Sequence, residues 1–510
     1  MAAFVTDQFR ILNASNFIDS ISNDNNSYYA FLGLPNPTAT GFGRNLNWNE
    51  IDGTPSPVDN FQYSTHYKDT ALFGKKINES NAVRVVRKID WVQNNAYDMY
   101  RHDYSDSNQA PVSKSYRLYD ANYYVITSAF RVYICIDNGS TGSISPLRSL
   151  VEPTETGVEP FATNDGYRWK YLFTVSPLDI IKFDSTQYIP LPNNWDTNNE
   201  TQIIYEGGNS ETNNNQIKKI YIENGGSGYS NQPSVKILGD GSGGTAQIVT
   251  NGGVITGVEV LTGGTGYTYG VVDLSGTSGN GALLIPIIPP SKGHGHDIYQ
   301  ELGGDRVLLY ARFDDSDNDF PVDTKFSQIG IIKNPETFSE TNVSTGVTYT
   351  GNTFSSLYSI VVNESITPTI GDKVEQVNDN GTARGYVASF DSEIKVLKYF
   401  QDRSLVFGNT PFDSQVHNSA SNSSDLVDFD SSVTNITVGG SGATIDTAVN
   451  GTSIITTDDG KLVDAGVTFT NGLANPEINK KTGNILYIDN RPVVTRDSRQ
   501  KEDIKIILEF

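Results

Sequence analysis

Gly483-Asn484-Ile485-Leu486-Tyr487-Ile488-Asp489-Asn490-Arg491-Pro492-Val493-Val494, followed closely by Glu502-Asp503-Ile504-Lys505-Ile506-Ile507-Leu508-Glu509-Phe510, is the part of the chain that decides the fold class. Both runs are rich in β-branched and aromatic residues, which suit a pleated, half-buried surface. In the first run, strand-like segments flank an Asn490-Arg491-Pro492 turn. The second places Ile504, Ile506 and Leu508 on one face and Lys505, Ile507 and Glu509 on the other. That period of two predicts a strand with a buried face. A chain end frays unless it is tied down, so this run is expected to be paired in a sheet.

The rest of the composition points the same way. Among 510 residues there are 27 Tyr and 23 Phe but only 2 Met and 4 Trp, and Gly, Asn, Ser, Thr and Asp are abundant. Such a mix favours strands and turns over long helices. The length allows roughly two to four domains, each with a core of ordinary size. No apolar run approaches the roughly 18 residues of a membrane span. Met1-Ala2-Ala3-Phe4-Val5-Thr6-Asp7 lacks the basic start and long apolar stretch of a secretory signal. A formal net charge of -22 argues against nucleic acid as the main partner, because phosphate binding needs a basic face. The acidic surface reads as a solubility device that suppresses wrong contacts. The single cysteine, Cys135, lies in Phe130-Arg131-Val132-Tyr133-Ile134-Cys135-Ile136 and reads as a small buried hydrophobe in a strand. Its solitary state is consistent with folding in a reducing cytoplasm.

Along the chain, 1–204 reads as one unit. Asn13 to Ile21 predicts a short helix with Phe17, Ile18 and Ile21 on one face. Strands are expected at Tyr28–Leu34 before Pro35 and Pro37, at Val83–Val92, and from Tyr123 to Ile136. Asp165-Gly166-Tyr167 reads as a turn into a strand with Trp169, Tyr171 and Phe173 on one side. Tyr188-Ile189-Pro190-Leu191-Pro192 is expected to be extended and unpaired, since two prolines remove backbone donors.

From 205 to 292 glycine becomes dense and a repeat appears. Ile220-Tyr221-Ile222-Glu223-Asn224-Gly225-Gly226-Ser227-Gly228-Tyr229 returns 38 residues later as Val258-Glu259-Val260-Leu261-Thr262-Gly263-Gly264-Thr265-Gly266-Tyr267. Each copy leads to another glycine-rich turn and a short strand, at Thr245–Val249 and at Ala282–Ile285. This is the pattern of a small duplicated β module. A second excursion, 336–478, contains strands at Ile370–Val377, Ala383–Phe390 and Ile394–Phe400 with a turn at Asn380-Gly381, and reads as an antiparallel barrel or sandwich. Its Asn418–Ser432 stretch, rich in Ser, Asn and Asp, reads as a flexible connection. The fold class expected is therefore mainly β: a multidomain antiparallel sandwich or barrel architecture with a few short helices and two inserted β domains.

Four blocks resemble a known family. They are Phe4-Val5-Thr6-Asp7-Gln8-Phe9-Arg10 with Asn16–Ile21, then Asp165-Gly166-Tyr167-Arg168-Trp169-Lys170-Tyr171-Leu172-Phe173, then Phe326-Ser327-Gln328-Ile329-Gly330-Ile331-Ile332-Lys333-Asn334-Pro335, and the closing run quoted first. In that order they resemble the baseplate wedge subunit encoded by gene 8 of T-even-like contractile-tailed phages. The resemblance covers 1–204, 293–335 and 479–510, which would form the wedge core. The insertions 205–292 and 336–478 depart from it. It implies a non-enzymatic structural protein of the virion, assembled in the host cytoplasm and placed in the tail baseplate. The partners it implies are a second copy, as a homodimer, and the wedge proteins of genes 6, 7 and 10, with no nucleic acid or membrane contact.

Chemistry is sparsely signalled. His294 and His296 in Gly293-His294-Gly295-His296-Asp297 would point the same way in an extended chain, the start of a metal site, but no third strong ligand follows. The other histidines, His66, His102 and His417, sit alone. Asp315, Asp317 and Asp319 alternate in Asp314–Asp319 without the glycine turn or the later Glu of a calcium loop, and read as a solvated hairpin tip. No Lys-Ser/Thr and no helix follow the Gly-x-Gly pieces, so no phosphate cradle is expected. With 59 acidic residues, carboxylate pairs arise by chance and mark no glycosidase dyad. Neither a Gly-x-Ser-x-Gly elbow nor His-Glu-x-x-His is present. No catalytic residue, cofactor or metal site is assigned. The competing reading is a receptor- or glycan-binding virion protein that presents Tyr229 and Tyr267 as stacking platforms, against tyrosines that simply pack over their own turns. A tail depolymerase is a third class.

Overall fold

The computed structural model describes residues 5–34, 56–195, 215–314, 324–339, 346–403, 426–497 and 500–510. Strand makes up 45% and helix 10%, in several antiparallel sheets, so the mainly β architecture predicted from the sequence is the one that forms. Pro35, Pro37, His417, residues 418–425 of the Ser/Asn/Asp-rich stretch and the Asp315, Asp317 and Asp319 series lie outside the described residues. The chain divides into two compact units, one built from 1–18, 82–309 and 506–510, the other from 19–81 and 310–505. The glycine-dense repeat belongs to the first unit and the 336–478 stretch to the second.

The helix predicted at Asn13–Ile21 is longer, spanning Asp7–Ser22. Thr6 Oγ1 accepts the Phe9 amide at its start, and Ile11, Ala14, Ile18 and Ile21 form the buried face. The first unit is centred on a sheet of Tyr124–Ile126, Arg131–Asp137, Arg168–Thr174 and Phe161–Ala162, in that spatial order. The single strand expected from Tyr123 to Ile136 is thus a hairpin. The chain reverses where Phe130 takes a φ of +57° and its amide bonds Thr127 O. Nor does Arg168–Thr174 have one inward side. Leu172 is an extra residue against the partner strand, and every residue from Trp169 to Phe173 is buried. Such a bulge breaks the alternation on which the expected Trp169/Tyr171/Phe173 face relied.

Polar tips let so many aromatics be buried together. Tyr167 stacks on Trp169 with centroids 5.2 Å apart, while its hydroxyl donates to Leu147 O at 2.6 Å and accepts the Tyr97 amide. Tyr123 and Tyr124 donate to Glu301 O and Arg87 O. The fully buried Asp98 carboxylate accepts the amides of Val112, Ser113 and Asn122. For these tyrosine hydroxyls and the Asp98 carboxylate, burial is offset by made hydrogen bonds, without which each would cost about 1–3 kcal/mol, whereas Trp169 Nε1 is buried without one.

Tyr188–Pro190 is also paired, contrary to expectation. It forms the edge of a sheet against Ala82–Arg87, which in turn pairs with Arg306–Phe313. A sheet edge is where proline's missing N–H does no harm. The closing strand Glu502–Glu509 flanks Arg306–Phe313. Glu502, Ile504 and Ile506 are buried and Asp503 and Lys505 exposed, in keeping with the predicted period of two.

In the glycine-rich stretch, the two repeats exchange strands. Ile220–Ser227 of the first copy pairs with Asn280–Pro286 of the second, and Val254–Thr265 of the second pairs with Ser242–Asn251 of the first. Corresponding positions pair in both: Ser227 with Asn280, and Thr265 with Ser242. The glycine turns match, with φ of +64° and +75° at Gly226 and Gly228 and the same values at Gly264 and Gly266. Isoleucines and valines from both copies share one core.

The second unit contains two larger sheets. One runs Thr353–Ser355, Ala71–Ile77, Tyr28–Gly33, Lys325–Lys333, Asn484–Thr495. The third and fourth sequence blocks therefore lie side by side, with Ile329 opposite Asp489 and Ile331 opposite Tyr487. Asn490-Arg491-Pro492 is not a turn. The strand continues through it, and the register shifts between Phe326 and Gln328, so the extra residues form a bulge that tolerates Pro492. The other sheet runs Ser441–Thr444, Asn435–Val438, Lys373–Asn378, Gly381–Asp391, Val396–Phe400, Tyr358–Val361, Leu473–Ala474. It contains the three strands predicted around Asn380-Gly381.

A Cβ placed on Gly279 would lie 2.3 Å from the Tyr229 ring, and one on Gly241 would lie 2.5 Å from the Tyr267 ring, whereas Gly276 faces open space. Gly279→Ala and Gly241→Ala should each destabilise the chain by about 1–3 kcal/mol in denaturant unfolding, and Gly276→Ala by less than about 0.5 kcal/mol. Equal, negligible effects at all three would contradict the packing described.

Candidate functional site

The His294 motif is built into the first unit as structure. His294 Nδ1 lies 2.5 Å from Glu301 Oε1, with both side chains buried. The second Glu301 oxygen accepts the Gly295 amide at 2.7 Å. Tyr100 meets the imidazole edge-on at 4.8 Å, and Trp195 Nε1 donates to Gly295 O. Asp297 caps the helix Ile298–Leu302 through the amides of Tyr299 and Gln300. Among the described residues no group of three His, Cys, Asp or Glu side chains is placed to hold a metal. Glu301, the partner that fixes His294, was not singled out in the sequence. Its only signal is a carboxylate in the first turn after a capping Asp, which is ordinary at a helix start.

Cys135 is fully buried, and burial, reinforced by Asp137 and Asp98, pushes its thiol well above the ordinary range. A thiol held neutral is a poor nucleophile. His102 accepts the Ile288 amide, and burial holds its pKa below the usual histidine value. Tyr229 and Tyr267 are 7% and 0% exposed. Tyr267 Oη donates to Ile237 O at 2.9 Å and accepts the Gly244 amide. Each ring is covered by glycines of both repeats, so the tyrosines pack over their turns and offer no stacking platform.

The arrangement with open space lies in the second unit. A cleft of about 620 Å³ is bordered by Tyr358, Tyr399, Phe429, Asp428, Arg403 and Lys480, among others. Tyr358 and Tyr399 sit opposite each other on paired strands, with rings stacked at 5.4 Å and 24°. Phe429 meets Tyr399 edge-on at 4.8 Å. The Asp428–Ser431 side is held from behind. Asn378 Nδ2 donates to Asp428 O, and the Gln376 amide group bonds both Asp430 N and Asp430 O.

An ion cluster forms the opposite side. The Arg403 guanidinium clasps the Asp69 carboxylate through Nε and Nη2 at 3.0 and 2.7 Å, and its backbone amide bonds the same group. Lys480 Nζ donates to Asp69 O at 2.8 Å, and Arg403 Nη2 reaches Lys480 O. Nearby, the buried His66 and Asp402 pair at 3.1 Å. Burial pushes the Lys480 pKa down to about 7, aided by Arg403 and opposed by Asp69 and Asp402. None of these residues was singled out, because Asp69, Arg403 and Lys480 are far apart in sequence and carry no local motif.

Between about pH 7 and the ordinary lysine value near 10.5 the folded chain holds one proton fewer at Lys480 than the unfolded chain. Stability contributed by this residue therefore rises with pH across that window, and the full burial cost is present below it. The unfolding free energy of the native chain minus that of Lys480→Met should climb between those limits, by at most about 1.4 kcal/mol per pH unit. A difference that stays flat would contradict the assignment. Compared with protein-family models and with curated protein sequences, the chain matches none.

Proposed function

We propose that this chain is a structural subunit of a contractile-tail baseplate wedge, acting through protein–protein interfaces and not through catalysis. The observation that carries the reading is the set of four sequence blocks, in order, that resemble the gene 8 wedge subunit. The second block supplies the buried Arg168–Thr174 strand, and the third and fourth are hydrogen-bonded neighbours.

The chemistry of the side chains supports the same reading. The buried histidine, cysteine and carboxylates described above are tied into packing. Large apolar side chains remain on the surface of the single chain. Phe9 and Leu12 on Asp7–Ser22 are about half exposed at helical spacing, and Leu178 and Ile181 on Pro177–Phe183 are 72% and 71% exposed. Exposed apolar residues grouped on short helices suit a protein that buries surface on assembly. On this reading the partners are a second copy and the wedge proteins of genes 6, 7 and 10, in the tail baseplate of the virion.

Multi-angle light scattering tests the proposal. The purified chain should run as a dimer and shift into a larger complex when mixed with those wedge proteins. Phe9→Asp combined with Leu178→Asp should leave the far-ultraviolet circular dichroism unchanged and weaken complex formation by at least about tenfold. A monomer that ignores all three partners would overturn the proposal.

A further inference from the structure

We propose that Arg84, in the first unit, is a receptor for a carboxylate supplied from outside the chain. This stands independently of the assembly reading, since the site asks for a carboxylate and not for a particular bearer of it.

Arg84 is 8% exposed and central in its sheet, opposite Val307 on one side and bonded through its carbonyl to the Leu191 amide on the other. Its guanidinium lies on the Tyr299 ring, with Cζ 3.6 Å from the centroid. Among the described residues that guanidinium makes no hydrogen bond and no ion pair. Nε is shut off from solvent without an acceptor, while the two terminal amino groups stay reachable. Buried polar groups are almost always paired, and a buried charge without a partner is costly. Here the chain keeps the charge and leaves out the partner.

The surroundings hold the group still. Tyr299 belongs to the helix Ile298–Leu302, and its hydroxyl donates to Pro192 O. The Leu191 amide bonds Arg84 O, and Asn193 Nδ2 donates to Ala82 O. Ring, strand and the 191–193 segment are therefore tied to one another. A guanidinium laid flat on a ring anchored at both ends is ordered before any ligand arrives, which lowers the entropy cost of binding.

Another arginine of the same unit shows what completes such a stack. Arg101 Cζ lies 4.0 Å from the Tyr221 ring centroid, and its Nε and Nη2 hold the Asp103 carboxylate at 2.9 and 2.7 Å. Arg84 repeats the stack without the carboxylate. Its reachable edge offers parallel N–H donors that match the two oxygens of a carboxylate in one plane. One guanidinium balances one carboxylate, whereas a doubly charged phosphate brings surplus negative charge to a chain of net charge -22. The carboxylate has two possible sources: a free small acid, or one of the 59 acidic side chains of a second copy.

The test titrates the full chain, isotope-labelled in its arginine side chains, with sodium acetate, sodium phosphate and sodium chloride at matched ionic strength. The Arg84 guanidinium resonance, identified by its loss in Arg84→Lys, should shift saturably with acetate, more weakly with phosphate and not with chloride. Acetate should also raise the unfolding midpoint, because it binds only the folded chain. That rise should vanish in Arg84→Met and shrink in Arg84→Lys, which keeps the charge but not the fork and carries the test if Arg84→Met fails to fold. Sedimentation equilibrium separates the sources. A carboxylate from a second copy makes self-association acetate-sensitive and at least about tenfold weaker in Arg84→Lys; a free acid leaves self-association unchanged in both. No saturable acetate shift, an equal shift with chloride, tighter binding of phosphate than of acetate, or an acetate response that survives in Arg84→Met would each overturn the proposal.

Discussion

The second unit depends on the pairing of one strand with two others that are remote in sequence. Lys325–Lys333 has seven consecutive buried residues, with Tyr28–Gly33 hydrogen-bonded on one side and Asn484–Thr495 on the other. A strand so enclosed must have its backbone groups satisfied by neighbours on both edges. The long polar side chain among those seven is satisfied too: Gln328 accepts from Thr70 Oγ1 and donates to Asn490 Oδ1. The ion cluster at the cleft hangs from this sheet. Asp69 ends the helix that precedes Ala71–Ile77, and Lys480 lies just ahead of Asn484–Thr495. Fixing the strand order brings the two ends of the cluster together, and Arg403 closes it.

The first unit solves a different problem. Its core sets eight tyrosines and two tryptophans among a larger number of aliphatic side chains. Tyrosine adds apolar area but brings a hydroxyl that must be paired. The carbonyls that accept these hydroxyls lie on neighbouring loops, so the same rings that fill the core also clamp the irregular segments around it. Asp165 does this at a turn. Burial works against its charge, but the Thr163 hydroxyl and the amides of Val151, Leu150 and Tyr167 hold its carboxyl below the usual range.

How much of this was legible follows from range of interaction. The strand class of Tyr28–Gly33 and of Gly381–Asp391, the alternation in Glu502–Glu509 and the 38-residue repeat are local patterns, and they were readable. The errors came where a neighbour strand decided the outcome. Pro190 is paired because it sits on an edge, Asn490-Arg491-Pro492 is a bulge because Lys325–Lys333 runs past it, and Arg168–Thr174 is buried on both faces. The cleft was invisible for the same reason. Tyr358, Asp428 and Lys480 are unremarkable in their own segments and meaningful only once the seven-stranded sheet and its loops are assembled.

The strand exchange between the two glycine-rich repeats has a consequence for folding. Neither 38-residue copy closes its own sheet, so neither half gains its core before the other arrives. Gln232–Gly239 and Ser242–Asn251 pair as a local hairpin, but the pairing of Ile220–Ser227 with Asn280–Pro286 closes a longer loop, whose entropy is spent before the apolar contacts reward it. The exchange is also open to the same segment of another chain, which offers identical strands. What keeps it within one molecule is the high effective concentration set by the tight Asn251–Val254 hairpin joining the copies. Lengthening that hairpin would shift the balance toward swapped dimers. Gly252 and Gly253, both at positive φ, are what lets that hairpin stay two residues long.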